Sequence, residues 1–229
     1  MAWKQRMGWL WREWLRGLLV IVLAVSSLRS AVADWNDVPT GSMKPTILEG
    51  DRIFVNKLAY DLKLPFTRIR LARWGSPQRG DIVVFSSPSD GTRLVKRVVG
   101  LPGDTVALVN NRLLINGKLM SYEPISASSF PDFNPGLEPR KLAVEQLGTH
   151  PHPVMSTSGV PAPRSFATIT VPEGDYFMLG DNRDESGDSR YFGFVPADSI
   201  AGQAVGVALS VDLDRSLKPR WRRFFRALP

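Results

Sequence analysis

After Asp34 the sequence is cut into short apolar runs by glycine, proline and asparagine, and this punctuation limits the fold more than any other feature. Arg52-Ile53-Phe54-Val55-Asn56-Lys57 follows the Gly50-Asp51 turn, Asp81–Phe85 is a brief apolar run, and Leu94–Val99 carries Lys96 and Arg97 inside it. Short segments rich in β-branched and aromatic residues, bounded by turn formers, are the pattern of strands. Thr105–Val109, Asn110-Asn111, Arg112–Ile115 and Asn116-Gly117 read as consecutive hairpins, because asparagine and glycine tolerate positive φ. Ala167–Val171, Asp175–Leu179 and Ile200–Leu209 complete the set. The expectation is a mainly β fold, a barrel-like antiparallel domain. Leu58–Trp74, interrupted by Pro65, is expected to be an exposed loop with a short helical turn. Ser121–Ser165 holds Pro124, Pro131, Pro135, Pro139, Pro151, Pro153, Pro161 and Pro163, and is expected to be a Pro-rich insertion, ordered in part at best.

The N-terminus is of another kind. Gly17–Leu28 carries no charge, and the stretch from residue 14 to residue 33 approaches the roughly 20 residues of a membrane span if Arg16 and Arg29 turn outward at its ends. Trp9, Trp11 and Trp14 suit the near membrane interface and Trp35 the far one. Lys4, Arg6, Arg12 and Arg16 precede the run, so the positive-inside bias leaves residues 1–13 in the cytoplasm and places everything beyond the anchor outside. A competing reading takes Ser30-Ala31-Val32-Ala33 as the cleavage site of a signal peptide with a short apolar core. Both readings export residues 34–229 as one folded domain, with an insertion at 121–165 and a basic tail at 212–229.

Composition removes several function classes. The chain has no cysteine, so disulfides and cysteine–zinc sites are excluded. Its net charge of +7 invites a nucleic-acid reading. The basic residues instead crowd the two ends: Arg215, Lys218, Arg220, Arg222, Arg223 and Arg226 mingle with Trp221, Phe224 and Phe225, a pattern that suits an anionic membrane surface or a solvated basic tail. The only two histidines, His150 and His152, stand in the Pro-rich stretch and offer neither a Ser-His-Asp triad nor ligand spacing for a metal.

With histidine set aside, the role of base falls to lysine. Ser42 follows Gly41, whose missing side chain lets the backbone approach closely, and Thr40 carries a second hydroxyl beside it. A serine hydroxyl is a poor nucleophile without a base. In an alternating strand Lys96 shares a face with Leu94 and Val98, and an apolar setting disfavours its ammonium form. Read alone, Lys96 is a surface lysine, and Ser42 has the competing reading of an ordinary turn serine. Lys44, two residues after Ser42 and before Pro45, is poorly placed to turn back. The Gly180–Arg190 block, Gly-Asp-Asn-Arg-Asp-Glu-Ser-Gly-Asp-Ser-Arg, adds a polar loop in which Arg183 and Asp184 read as no more than a solvated pair.

Pro39-Thr40-Gly41-Ser42-Met43, Lys96-Arg97-Val98-Val99-Gly100-Leu101-Pro102-Gly103-Asp104 and the Gly180–Arg190 block, in this order, closely resemble bacterial type I signal peptidase, a membrane-anchored Ser/Lys endopeptidase. The resemblance runs from the apolar segment to about Val211, leaving out Ser121–Ser165. It implies Ser42 as nucleophile, Lys96 as general base, and an oxyanion hole from the Ser42 N–H and the Thr40 hydroxyl, threonine standing where the family usually has serine. It implies that Ser186 hydrogen-bonds the lysine amine and that Asp181, Asp188 and Arg190 brace the site, the last two as an ion pair. Shallow apolar pockets are implied for small residues before the scissile bond, with Val38, Pro39, Met43, Ile47, Leu94 and Val95 flanking the dyad. No cofactor or metal is implied. The partners would be preprotein signal peptides and membrane lipid, not nucleic acid, at a bacterial inner membrane with the catalytic domain outside. A processing peptidase for conjugative pilin is the nearest enzymatic rival, a non-catalytic exported binding module the rival from another class.

Overall fold

The structure is a computed structural model and describes residues 14–27, 32–64, 67, 69–133, 139–213 and 216–229. Lys4, Arg6, Trp9, Trp11, Arg12, Arg29, Ser30, Ala31, Pro65, Pro135 and Arg215 lie outside the described residues. Residues 14–27 form a helix, α1, whose apolar side chains, Leu18, Leu19, Val20 and Ile21 among them, are exposed. Among the described residues no helix is long and apolar enough to cross a membrane. Ala33, expected to close the membrane span, is the first residue of a strand and pairs with Asn56.

The fold is mainly β. Its largest sheet, curled into a half-barrel, runs in the order β1 (Ala33–Asp37), β2 (Asp51–Asn56), β16 (Ile200–Asp212), β5 (Ile82–Ser86), β6 (Arg93–Gly100), β14 (Asp175–Leu179) and β15 (Val195–Pro196), every pair antiparallel. β16 bridges two partners, β5 along its first residues and β2 along the rest, with register shifts against both. Such irregularities bend a strand and increase its twist, which is how one long strand can serve both halves of a curled sheet. A second sheet orders β13 (Phe166–Thr170), β7 (Thr105–Val109), β8 (Arg112–Ile115) and β9 (Lys118–Leu119). Its turns are those read from sequence: Asn110, Asn111 and Asn116 take φ of 50°, 62° and 51°, and Gly117 takes 75°. Two-residue hairpins need this left-handed backbone, which asparagine and glycine tolerate best.

The Pro-rich stretch departs from expectation. Residues 121–157 build a third sheet, β10 (Ser121–Pro124), β11 (Arg140–Leu147) and β12 (His150–Thr157), with β11 in the middle. The prolines within it explain how. Pro124, Pro151 and Pro153 all fall on the two edge strands, and β11 has none. Along β12, backbone groups of alternate residues point the same way. Met155, of the same parity as Pro151 and Pro153, donates its N–H away from β11, to the Asp181 carbonyl. The prolines therefore lack their N–H on the outer edge, where no ladder bond to β11 is lost.

Leu58–Trp74 keeps the expected short helical turn but is more than a loop. It holds a 3₁₀ turn at Lys57–Ala59 and a hairpin of β3 (Asp61–Lys63) and β4 (Arg70–Arg73). The basic tail is part of the fold, not a solvated end. β17 (Lys218–Pro219) and β18 (Arg226–Ala227) pair with β16, Arg223 is buried on Asp51 at 2.5 Å, and Leu228 packs against the Ile53–Val84 core.

Candidate active site

Ser42 sits on a tight turn held from below. Met43 and Ile47 are 1% and 0% exposed in the core beneath β2 and β5, and Ile47 N–H donates to the Met43 carbonyl at 3.0 Å. Burying two large apolar side chains just after Ser42 stabilises this arrangement by several kcal/mol, on the order of 1.5–3 per side chain. The peptide groups on the other side are held by one residue. Asn182 donates its backbone N–H to the Ser42 carbonyl and its Nδ2 to the Gly41 carbonyl, each at 3.1 Å. The turn is thereby fixed to the Gly180–Arg190 loop by one loop residue that bonds two neighbouring residues of the turn.

Lys96 meets Ser42 from β6. Alternation keeps it with Leu94 and Val98, which pack in the cluster of Val83, Phe85, Tyr176 and Met178, and it pairs in register with Val83. Only 2% of Lys96 is exposed, and its Nζ stands 2.5 Å from Ser42 Oγ. Burial pushes the amine down to about 8, against the opposing pull of Asp188 and Asp181, while Arg190 helps lower it. Among the described residues no carboxylate lies within ion-pair distance of Lys96, so the pull of Asp188 and Asp181 offsets only part of the lost hydration of an ammonium there.

Arg97, the next residue, points to the other face and is treated in the opposite way. Its guanidinium makes a bidentate pair with Asp181, 2.9 Å from Nε to Oδ1 and 2.8 Å from Nη2 to Oδ2, and Nη1 donates to the carbonyls of Gly80 and Pro229. Thr46 Oγ1 donates to Asp181 Oδ2 at 2.5 Å. Burial would raise the Asp181 carboxyl; Arg97, then His152 and Thr46, outweigh it and hold the group below the ordinary carboxylate range. Asp181 thus joins β6 to the nucleophile turn.

Gly180 is a position where only glycine fits. A Cβ there would stand 2.4 Å from the Ser42 carbonyl oxygen and 2.2 Å from Ser186 Oγ. Ser186 is buried against this glycine, and its Oγ has no hydrogen-bond partner among the described residues. The expected bond from the Lys96 amine to Ser186 is absent: the amine donates to Ser42, and Ser186 Oγ packs against Gly180 instead. Asp188 caps the short helix α2 (Ser189–Phe192), accepts from Gly180 N–H at 3.1 Å, and pairs with Arg190 at 2.7 Å.

Arg183 and Asp184 are buried and do not pair with each other. Arg183 makes a bidentate pair with Glu145 of β11, at 2.9 and 2.6 Å. Asp184 accepts from Thr157 N–H, Asn111 Nδ2 and Arg164. Met155 and residues 181–183 exchange backbone bonds in parallel, so the third sheet clamps the loop that holds Ser42. Asn182, Thr46, Arg97 and Glu145 escape sequence reasoning. Only Arg97 left a signal, a charge inside an apolar strand.

The other expectations divide. Val38, Met43 and Ile47 are buried core, packed under the turn. Leu94 and Val95 are half-buried on β6, and Pro39 and Thr40 are exposed beside Ser42. Lys44 turns away and pairs with Glu49 at 2.7 Å. His152 is buried near Asp181 rather than in a loop.

The family model described as signal peptidase, peptidase S26, matches residues 11–209. The chain belongs to that family. Signal peptidase I of Pseudomonas aeruginosa is 39% identical over 214 residues, 86% of this chain and 72% of that protein. Signal peptidase I of Pseudomonas fluorescens is 38% identical over 215 residues, with the same shares. A crystal structure of a signal peptidase I from Enterococcus faecalis is 39% identical, covering 56% of this chain and 96% of that one, at a TM-score of 0.35. Signal peptidase I activity, that of a serine endopeptidase, is the function this membership assigns.

Proposed function

We propose that the chain removes N-terminal signal peptides from exported preproteins through a Ser42/Lys96 dyad. The 2.5 Å approach of Lys96 Nζ to Ser42 Oγ carries this reading. At pH near 8 a substantial fraction of the amine is neutral and able to take the serine proton. Ser42 Oγ attacks the scissile carbonyl carbon as its proton passes to Lys96. The oxyanion is received by the Ser42 N–H and the Thr40 hydroxyl, from the exposed rim of the turn. Lys96 then gives its proton to the departing amine, leaving an ester on Ser42. A water, deprotonated by Lys96, cleaves that ester and restores both groups. Asp181, Asp188 and Arg190 hold the loop that positions Ser42. The substrate binds extended along an open strand edge, with small side chains at the first and third positions before the cut, against Leu94, Val95 and Pro39.

The apolar segment from residue 14, ending before the strand that begins at Ala33, serves as the anchor, with residues 1–13 in the cytoplasm and the peptidase domain outside a bacterial inner membrane. The exposed apolar side chains of α1 and the basic residues before it support this. Cleavage of a purified preprotein, with Ser42→Ala as control, tests the reading. Activity retained without the Ser42 hydroxyl would sink it. Fractionation tests the anchor, which predicts recovery in detergent extracts and not in salt washes.

A further inference from the structure

The two donors assigned to the oxyanion are of different kinds. Thr40 is an exposed side chain on the rim of the turn. The Ser42 N–H belongs to the peptide plate that joins Gly41 to Ser42. Such a plate is planar, and in its trans form the carbonyl and the N–H point in opposite directions. Whatever grips the Gly41 carbonyl therefore aims the Ser42 N–H. Two donors grip it, the Lys44 N–H and Asn182 Nδ2, each at 3.1 Å. Among the described residues the Ser42 N–H itself meets no acceptor, so the plate is held from its carbonyl side.

Asn182 holds the next plate as well, through its backbone N–H and the Ser42 carbonyl at 3.1 Å. One residue thus restrains the plates on both sides of the Ser42 Cα, and with them the φ and ψ of the nucleophile. Asn182 is 0% exposed, so water is not at hand to replace a lost bond. Its amide is itself held. Nδ2 also donates to Glu185 Oε2 at 3.0 Å, while Oδ1 is buried with no hydrogen-bond partner among the described residues. An amide turned over would set Oδ1 against two oxygens, so Glu185 favours the orientation in which Nδ2 reaches Gly41. Glu185 is exposed, and Arg140 Nη2 of β11 lies 3.8 Å from its Oε1.

We propose that Asn182 is a positioning residue that aims the Ser42 N–H at the developing oxyanion, with Glu185 keeping its amide the right way round. The proposal rests on Ser42 being the nucleophile. It divides the work of two adjacent loop residues. Asp181 joins the turn to β6 through Thr46 and Arg97, whereas Asn182, which is neutral, sets the direction of a donor. A donor already aimed needs no rearrangement when charge appears on the substrate oxygen.

The test compares two ligands on the full chain in detergent, a short peptide aldehyde with small side chains and the matching peptide alcohol. The aldehyde carbon takes Ser42 Oγ as the serine proton passes to Lys96, and its oxygen becomes the oxyanion. The alcohol has no carbonyl to be attacked and binds only as a peptide. In Asn182→Ala the aldehyde should bind about ten- to a hundredfold more weakly, short of the full loss of a donor, with the alcohol unchanged. In preprotein cleavage kcat should fall by a like factor while KM stays. The rate of aldehyde addition should keep a pH midpoint of about 8, because Lys96 and Ser42 Oγ still meet. A merely structural loss lowers the number of competent molecules or weakens both ligands together. Either result overturns the proposal, as does a moved midpoint. Where Asn182→Ala does not fold, Glu185→Ala decides. Aldehyde affinity alone should then fall about three- to tenfold, the worth of one hydrogen bond, and an unchanged affinity overturns the proposal. A native chain that binds the aldehyde no better than the alcohol would refute Ser42 as nucleophile and the proposal with it. A native preference for the aldehyde that Asn182→Ala leaves intact overturns the proposal alone.

Discussion

The two faces of β6 place adjacent cations under opposite rules. On one, Lys96 is buried among Leu94, Val98 and Val83 with the Ser42 hydroxyl as its hydrogen-bond partner, and its proton is loosened. On the other, Arg97 is as deeply buried, and a bidentate carboxylate with two carbonyls accounts for its charge. Burial is common to both; the counter-ion is the difference. A cation denied its partner becomes a base, and one given its partner becomes a strut. The residue types suit these duties, since a lysine amine yields its proton on burial and a guanidinium does not.

The comparison can be broken most forcefully at the dyad. Ser42→Ala and Lys96→Met should each lower kcat/KM by about 10⁴-fold or more, and the double variant should be little worse, as for groups that act as one unit. Additive losses in a cleavage assay would show that the two side chains act separately. On the other face, Asp181→Ala leaves Arg97 buried without its partner and should cost about 3–5 kcal/mol in denaturant unfolding. A change under about 1 kcal/mol would mean that the pair is not a strut.

Lys96→Met should do the reverse and stabilise the fold. The amine's folded value, about 8, lies below its ordinary 10.5, so the unfolded chain binds that proton more tightly. Native stability should therefore rise between pH 8 and pH 10.5, and the variant's advantage, about 3 kcal/mol, should be full below pH 8 and vanish above 10.5. Equal stability of the two proteins at neutral pH would deny that Lys96 is held in an unfavourable setting. The smallest of these effects belongs to Thr40. Thr40→Val should cost about 10²-fold in kcat with KM little changed, the loss of one oxyanion donor, whereas Thr40→Ser should be nearly silent. A valine variant as active as the native chain would remove Thr40 from the site.

Local pattern revealed the parts of this molecule governed by neighbours in sequence. The Asn110-Asn111 and Asn116-Gly117 turns follow from φ alone, and the apolar setting of Lys96 follows from alternation along one strand. What pattern could not reveal depends on partners far along the chain. Arg223 reads as one more basic tail residue until Asp51, 172 positions away, appears beside it. Arg183 looks solvated until Glu145 closes on it. The Ser121–Ser165 stretch misled through composition, which counts prolines without regard to strand edge or parity. The burial of Val38, Met43 and Ile47 was not legible either, because the turn around Ser42 has no period from which to tell core from rim.

The prolines of β12 have a further effect. An extended preprotein in search of a sheet to join needs a row of unclaimed amides. Along the outer margin of β12, Pro151 and Pro153 offer none, and the amides of Met155 and Thr157 are already taken by Asp181 and Asp184. The margin nearest the catalytic loop is thereby closed to a stray strand, so a chain that pairs with this protein is turned away from a place where it could stick without being cut.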